Sequence, residues 1–433
     1  MAPMLQRLDL RGVKAEDWRP GLPRPQAAKE PPVAAVQAIL ADVKAGGDAA
    51  VRQLTERFDG VRIDELRVPD AELRAALAAT PPALRQALEA ARAAVLAFHQ
   101  EQVRGDERHQ REGVVVRELR RAVDRAGVYV PGGTAPLLSS VLMSAVPARV
   151  AGVAEIALCS PPTAGGTVAP AILAAAALSG VDEVYRIGGA QSVAAMAYGT
   201  ESVPAVDVIV GPGNIYVSLA KREVAGEGAV GVPGSFAGPS EVVVVADDTT
   251  PVEFAAVDVV VQAEHGPDGL AWLVTWSETA ADAVAAEVAR IVAASPRRSQ
   301  IEATLGEGGY AVLVDGPEQA VEVANAIAPE HLELMCDGPE ALVPLVRHAG
   351  AVFCGPWAPA SVGDYVAGPS HVLPTYGSAR FASALRVDDF VKTVHVISLD
   401  EAALGRLAPH VVALAEAEGL AAHAESVRIR GRG

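Results

Sequence analysis

The chain has 433 residues, of which 50% are hydrophobic and 21% charged, and its 36 basic and 53 acidic side chains give a net charge of −17. The apolar content supports a sizeable buried core and excludes disorder as the main state. The acidic balance argues against a nucleic-acid or anionic-membrane surface, because either needs a basic face. Three cysteines without a C-x-x-C spacing exclude a disulfide framework and a thiolate zinc ribbon. The sequence lacks a secretory signal and a long apolar run, so we expect a cytoplasmic protein.

The predicted elements begin with a polar, proline-containing arm over residues 1–27, followed by three helical patterns, of which the clearest covers about residues 81–104. From Gly127 onward, Ala-rich helical segments separate short β-rich runs: GVYV, EIALC, EVYRIGG, VDVIVG, EVVVVAD, AWLVTW, YAVLV and GAVFC. Strands that alternate with helices indicate βαβ units and parallel sheets covered by helices on both faces. The sequence therefore predicts an α/β fold with two doubly wound, Rossmann-like domains.

The expected domain limits follow from this pattern. Residues 28–128 and 240–385 form the main α/β domain, and residues 129–239 form a second α/β domain. The boundary between the two α/β domains is expected near the Gly/Pro-rich segment 231–239. Residues 386–433 form a helical tail, in which no strand is strong enough to build a core of its own.

Glycine-rich turns follow three of the predicted strands in YVPGGTAP (129–136), IGGAQS (187–192) and IVGPGN (209–214). Ligands collect at strand ends in doubly wound sheets, where glycines let phosphates approach the backbone and helix N-termini favour negative charge. None of the three is G-x-G-x-x-G, since Tyr216 stands where the last glycine would be. Any one of them can be an ordinary turn. Three in succession indicate a dinucleotide site built without the usual fingerprint.

Histidines and carboxylates recur together in four segments: VVVQAEHG (259–266), APEHLELM (328–335), VGDYVAGPSHVLPT (362–375) and AEAEGLAAH (415–423). In the first, Gln262 and His265 share one helical face and can hold one ion, although this spacing alone favours a helix-capping histidine before Gly266. Adjacent residues of a strand point to opposite faces, so Glu330 and His331 can share a site only if the backbone turns at Pro329. Spacing alone leaves open whether the four segments meet.

Longer motifs add a resemblance. The informative motifs are YVPGGTAPLLSSVLM, GGAQSVAAMAYGT, GPGNIYV, AGPSEVVVVAD, QAEHG, APEHLEL, GDYVAGPSHVLPT and EAEGLAAH. In these motifs the chain resembles the L-histidinol dehydrogenase family, and the resemblance runs from about residue 30 to the end of the chain. The resemblance implies an NAD-dependent four-electron oxidation of L-histidinol through L-histidinal to L-histidine, with one Zn2+ per subunit positioning the substrate. It also implies a homodimer in which the C-terminal tail crosses to complete the partner's site.

The resemblance assigns roles to single residues. The implied zinc ligands are Gln262, His265, Asp364 and His423. The implied acid/base pair is Glu330 and His331, and the implied NAD contacts are Tyr129, Gln191 and Asn214. Besides the zinc ligands, the implied substrate contacts are Ser240, His331 and Glu418. NAD is accordingly expected in the second domain, and the metal with the acid/base pair in the main domain.

Departures from the family pattern fall in segment 231–239 and at Ser370 and Tyr376, and they spare every implied ligand. Two alternatives stay open. One is a related zinc dehydrogenase of another primary alcohol, such as a sulfonated diol, although Glu418 favours a cationic substrate. The other is a zinc hydrolase in which Glu330 activates metal-bound water.

Overall fold

A computed structural model describes residues 4–23, 31–132, 136–233, 240–264 and 269–431. The chain packs as two compact units, one of Met1–Gln102 with Asp124–Phe390 and the other of Val103–Val123 with Val391–Gly433. Within the described ranges, no helix combines the length and the apolar character needed to cross a bilayer.

The regular elements are numbered in chain order. The strands are β1 (Gln6–Asp9), β2 (Glu107–Arg111), β3 (Val114–Ala122), β4 (Arg125–Tyr129), β5 (Glu155–Ser160), β6 (Glu183–Arg186), β7 (Val208–Val210), β8 (Glu241–Ala246), β9 (Leu270–Thr275), β10 (Gly309–Leu313), β11 (His331–Leu334), β12 (Ala351–Cys354) and β13 (Val391–Leu399). The helices are α1 (Ala15–Trp18), α2 (Val33–Asp59), α3 (Asp70–Ala79), α4 (Pro82–Gln100), α5 (Leu138–Ala151), α6 (Pro170–Ser179), α7 (Gly189–Tyr198), α8 (Ile215–Gly226), α9 (Val252–Ala263), α10 (Glu278–Ala294), α11 (Arg298–Gly308), α12 (Pro317–Ile327), α13 (Ala360–Tyr365), α14 (Glu401–Ala417) and α15 (Ala421–Arg428).

The described part of the larger unit contains a six-stranded sheet in the order β1-β10-β9-β8-β11-β12, and every neighbouring pair is parallel. Strand β8 is buried along its whole length because Val242 and Val244 pack into the core on one face, while Val243 and Val245 pack into the core on the other. Burial on both faces explains the continuous apolar run that predicted this strand.

A four-stranded parallel sheet in the same unit has the order β6-β5-β4-β7. The chain winds outward from β4 through β5 to β6 and then returns to place β7 on the opposite side of β4. This reversal creates a switch point between the carboxyl ends of β4 and β7, which is where open α/β sheets bind their ligands.

The smaller unit contains an antiparallel sheet in the order β13-β3-β2 together with helices α14 and α15. Pairing between β13 and β3 runs over nine residues, from Val391 opposite Ala122 to Leu399 opposite Val114. This unit draws its sheet from two segments that are far apart in the sequence.

The α/β fold with parallel sheets is confirmed, and each of the eight predicted runs contains or overlaps a strand. The structure adds one strand at each end. The arm over 1–27 includes β1, which pairs with β10, and the tail over 386–433 includes β13 before its two helices. Both are edge strands, in which fewer side chains are buried and the apolar signal is correspondingly weak. The limits of the four predicted domains remain a prediction.

Candidate active site

Glu330 and His331 lie where the backbone turns from α12 into β11. Ala328 ends α12 in the left-handed conformation with φ 57°, Pro329 follows, and His331 is the first residue of the strand. Oε2 of Glu330 lies 3.6 Å from Nδ1 of His331. The turn at Pro329 thus brings two adjacent side chains to one place, as the sequence required.

The main chain of Glu241, the first residue of β8, contacts both side chains. Its N–H donates to Oε2 of Glu330 over 3.2 Å, and its carbonyl oxygen lies 3.0 Å from Nδ1 of His331. Because a carbonyl oxygen can only accept, it favours the tautomer with the proton on Nδ1 and a lone pair on Nε2. The amide nitrogen of Gln262, 3.1 Å from the same Nδ1, can only donate and favours the other tautomer. In the first tautomer, Nε2 of His331 can act as a base.

Two further side chains surround Nε2 of His331. It lies 2.6 Å from Nε2 of His371, whose Nε2 is in turn 3.3 Å from Oδ1 of Asp364. The ligand atoms of His331, Asp364 and His371 all lie within 4.8 Å of one another. Imidazole and carboxylate groups are ligands that zinc prefers. A second such group, Glu107, His109 and Glu118, lies on β2 and β3 and is mostly exposed.

Gln262, near the end of α9, approaches the same histidine. Its Nε2 lies 3.1 Å from Nδ1 of His331, while its Oε1 is buried and has no hydrogen-bond partner among the described residues. An unpaired buried amide oxygen costs about 1–3 kcal/mol. A cation bound at Oε1 would remove that cost, so the residues present fit a metal ion. His265 lies outside the described residues.

Buried carboxyl groups lie close together in this site. Burial raises the pKa of Glu330 well above its usual value, and the charges of Glu241 and Asp364 raise it further. Burial also raises the pKa of Glu241 to about 8, while the nearby backbone N–H groups of Glu330, Tyr376 and Gly377 lower it. Strongly perturbed acids at one place are typical of functional sites. A buried cation or a basic ligand would relieve their mutual repulsion.

Helix α13, which carries Asp364, is held against the sheet. Oε1 of Glu333 on β11 accepts a 2.9 Å hydrogen bond from the N–H of Ala360, the first residue of α13. A β-carbon on Gly363 would lie 2.7 Å from Cε1 of His371, so only glycine lets that imidazole approach the helix. Ser370 donates a 2.9 Å hydrogen bond to the carbonyl of Met143 and fixes the residue before His371. The departure at Ser370 therefore keeps an anchor for this loop.

A second cluster forms at the carboxyl edge of the four-stranded sheet. Tyr129 ends β4, and its hydroxyl accepts a 3.3 Å hydrogen bond from the N–H of Gly189 at the start of α7. Gln191 on α7 is 1% exposed, and neither atom of its amide has a partner among the described residues. Asn214 caps α8, because its Oδ1 accepts from the N–H groups of Tyr216 and Val217. Gly213 closes the cluster, since a β-carbon there would lie 3.2 Å from Cε1 of Tyr129.

Three comparisons agree on one family. The family model for histidinol dehydrogenase matches residues 22–431. A histidinol dehydrogenase from Parasynechococcus marenigrum is 50% identical over 396 residues, covering 91% of this chain and 90% of that protein. One from Chlorobaculum tepidum is 48% identical over 396 residues, covering 91% and 92%. The crystal structure of histidinol dehydrogenase from Elizabethkingia anophelis superposes with a TM-score of 0.94 at 34% identity, covering 99% of this chain and 98% of that one.

The chain belongs to the histidinol dehydrogenase family. Its membership confirms the resemblance seen in the sequence and supports histidinol dehydrogenase function, that of an oxidoreductase in histidine biosynthesis.

Within this histidinol dehydrogenase fold, the larger unit brings together Gln262, Glu330, His331 and Asp364 of the residues singled out in the sequence. Ser240 directly precedes β8 and its Glu241. Glu418 and His423 belong to the smaller unit, where Glu418 caps α14, His423 lies on α15, and both are exposed.

Sequence reasoning assigned no role to Glu241 or His371. An acidic residue that opens the otherwise apolar strand EVVVVA was the available signal for Glu241. His371 was noted beside Asp364, but its approach to His331 depends on Gly363 and is a tertiary contact.

Replacing Gly363 by alanine tests the placement of His371. We expect kcat for histidinol oxidation to fall by about 100-fold, because displacing a group by about 1 Å at a reacting centre has this effect. The measurement is steady-state kinetics together with the thermal midpoint of unfolding. Gly306→Ala on α11 is the control, since no atom lies within 4 Å of its added β-carbon. Wild-type kcat in the folded Gly363→Ala variant would show that the position of His371 does not matter.

Proposed function

We propose that this protein oxidises L-histidinol to L-histidine in two successive NAD-dependent steps, with one Zn2+ per subunit and as a homodimer with shared active sites. The observation that carries the proposal is the buried cluster at the amino ends of β8 and β11. There an acid/base pair, Glu330 and His331, meets metal-binding side chains, one of which has an unpartnered oxygen.

The zinc ion would be held by Gln262, His265 and Asp364 of one subunit and by His423 of the partner subunit. Two imidazoles, one carboxylate and one neutral amide leave the ion with a net charge of about +1. When bound, it would position the substrate and polarise its reacting oxygen. The free Oε1 of Gln262 supports this assignment.

The first oxidation needs a base for the alcohol proton. His331 is suited to the role because the Glu241 carbonyl favours a proton on Nδ1 and leaves Nε2 to accept one. When bound, NAD would supply the electron acceptor, its nicotinamide, for the hydride of the substrate carbon. The product of this step is the aldehyde, and the proton of the alcohol remains on His331.

The second oxidation needs water. Glu330 would remove a proton from the water that adds to the aldehyde, and the hydrated carbon would lose a second hydride. Burial and neighbouring carboxylates raise the pKa of Glu330, which makes its carboxylate a stronger base than one in water. Its hydrogen bond from the Glu241 N–H orients it without neutralising its charge.

The carboxyl groups of the site favour a cationic substrate, because a cation stabilises their ionised forms. Glu241, Glu330 and Asp364 interact electrostatically at its centre, and Glu418 is the acidic residue proposed for the substrate's amine. A sulfonated diol would bring a permanent negative charge against these acids at a cost that a protonated amine avoids. We therefore propose histidinol over the sulfonated alcohol, with Ser240 as a further substrate contact.

NAD would bind at the carboxyl edge of the four-stranded sheet, beside Tyr129, Gln191 and Asn214. The switch point between β4 and β7 is the expected place for a dinucleotide in this topology. The unpartnered amide of the buried Gln191 offers both a donor and an acceptor there.

The smaller unit carries the features expected of a segment that meets a second copy of this chain. Ile397 is 64% exposed on β13 and Leu414 is 66% exposed on α14. Exposed apolar side chains of this size mark interaction surfaces when they cluster. His423 and Glu418 are exposed in the same unit and are free to complete another subunit's site.

Glu330→Gln separates the two half-reactions. Alcohol oxidation should persist, whereas aldehyde oxidation should fall by about 100- to 10,000-fold, because a general base contributes that much and only hydration requires it. Single-turnover NADH formation from histidinol and from histidinal measures the two steps. Glu318→Gln, an exposed change on α12, is the matched control. Equal losses in both steps would remove Glu330 from the role proposed for it.

Hybrid dimers test the crossing of the tail. His423→Ala and Glu330→Gln are each expected to inactivate their own homodimers for complete oxidation. Co-expressed, they should restore roughly a quarter of wild-type activity, since half of the dimers are hybrids with one intact site. The measurement is histidine formation by the purified mixture, because the Glu330→Gln homodimer still forms NADH from histidinol. The two homodimers mixed after purification are the control. Activity no higher than in that control would contradict shared sites.

A further inference from the structure

The four-stranded sheet lacks an acid where dinucleotide-binding sheets usually carry one. In such sheets an Asp or Glu follows the second strand and hydrogen-bonds the ribose hydroxyls of NAD. The second strand here is β5, which ends at Ser160 and is followed by Pro161. No acidic residue occurs from 161 to 181. An acceptor for the ribose must therefore come from another part of the chain.

Asp59, the last residue of α2, lies at that place. A β-carbon on Gly188, which follows β6, would lie 2.7 Å from Cβ of Pro161 and 3.3 Å from Oδ1 of Asp59. The carboxylate is therefore close to the residues that follow both β5 and β6. Its charge also acts on the hydroxyl of Tyr129, which ends β4. The adenosine half of a dinucleotide would occupy this part of the edge.

One oxygen of the Asp59 carboxylate lacks a hydrogen-bond donor. Oδ2 of Asp59 is buried and has no hydrogen-bond partner among the described residues. Burial raises the pKa of Asp59 to about 6, so the group is still mainly ionised at neutral pH. Buried charged oxygens are normally hydrogen-bonded, which makes this one an exception that calls for a ligand.

A purely structural role does not explain the residue. Asp59 closes a long helix, and Gly60 ends that helix in the left-handed conformation with φ 68°. The helix dipole disfavours negative charge at a C-terminus. The position therefore gives the fold no electrostatic benefit, whereas a pair of ribose hydroxyls would donate to the carboxylate.

We propose that Asp59 accepts hydrogen bonds from the vicinal hydroxyls of the adenosine ribose and thereby selects NAD over NADP. The inference rests on the proposed function, since it requires NAD at the edge of this sheet. NADP carries a phosphate on the 2′ oxygen. It would bring negative charge against the carboxylate and would lose one of the two donors.

The test uses Asp59→Asn and Asp59→Ser in the full-length enzyme, with Glu56→Gln as the control because it removes an exposed charge one turn earlier on α2. We expect KM for NAD to rise by about 10- to 100-fold, the loss typical of a hydrogen bond to a charged group. The ratio of kcat/KM for NAD to kcat/KM for NADP should decrease. KM for histidinol and kcat at saturating NAD should change little.

Adenosine 5′-monophosphate serves as a probe of the adenosine end alone. Its inhibition constant against NAD should rise in both Asp59 variants and stay at the wild-type value in Glu56→Gln. An unchanged constant for this probe, or an unchanged NAD:NADP preference in folded variants, would overturn the proposal. A parallel rise of KM for histidinol would equally overturn it, because it indicates general damage.

Different results would contradict the proposed function and the role of Asp59. If the wild-type enzyme forms no NADH from histidinol, the proposed function itself is wrong. If the wild type is active and the Asp59 variants keep wild-type cofactor kinetics, only the role of Asp59 is wrong.

Discussion

The peptide group of Glu241 contacts both members of the proposed acid/base pair, Glu330 and His331. Its N–H donates to the carboxylate of Glu330, and its carbonyl oxygen lies 3.0 Å from Nδ1 of His331, so that one residue of β8 orients both side chains. The parallel pairing of β8 and β11, with His331 opposite Val242, fixes this register. Because both strands are buried on both faces, neither can shift without exposing apolar side chains. The chemistry therefore depends on strand pairing as much as on the side chains.

We propose ligand sites at different edges of the two parallel sheets of the larger unit. The four-stranded sheet would bind NAD at its carboxyl edge, around Tyr129, where open α/β sheets ordinarily bind ligands. In the six-stranded sheet the proposed acid/base pair lies at the amino ends of β8 and β11, because Glu241 and His331 are the first residues of their strands. Irregular segments, above all the loop that carries His371, supply the remaining groups.

Sequence reasoning predicted most of the fold because buried parallel strands leave continuous apolar runs, as in EVVVVA. It did not predict the antiparallel sheet, in which β3 and β13 bring together distant residues such as Glu118 and His395, 277 positions apart. The turn at Pro329 could be inferred from the need of Glu330 and His331 to share a site. The contacts of His371 and Asp59 could not, because each depends on a glycine, Gly363 or Gly188, that allows close approach in three dimensions. The implied ligands came from long motifs, and spacing alone left their meeting open.

The proposed function requires that side chains from distant segments bind one metal ion beside Glu330 and His331. Anomalous diffraction at the zinc edge, from crystals of the purified protein, measures this binding. We expect one strong peak per subunit, within about 2.0–2.2 Å of Oε1 of Gln262 and of a carboxylate oxygen of Asp364. A peak only at the exposed group of Glu107, His109 and Glu118, or no peak in fully active enzyme, would contradict it.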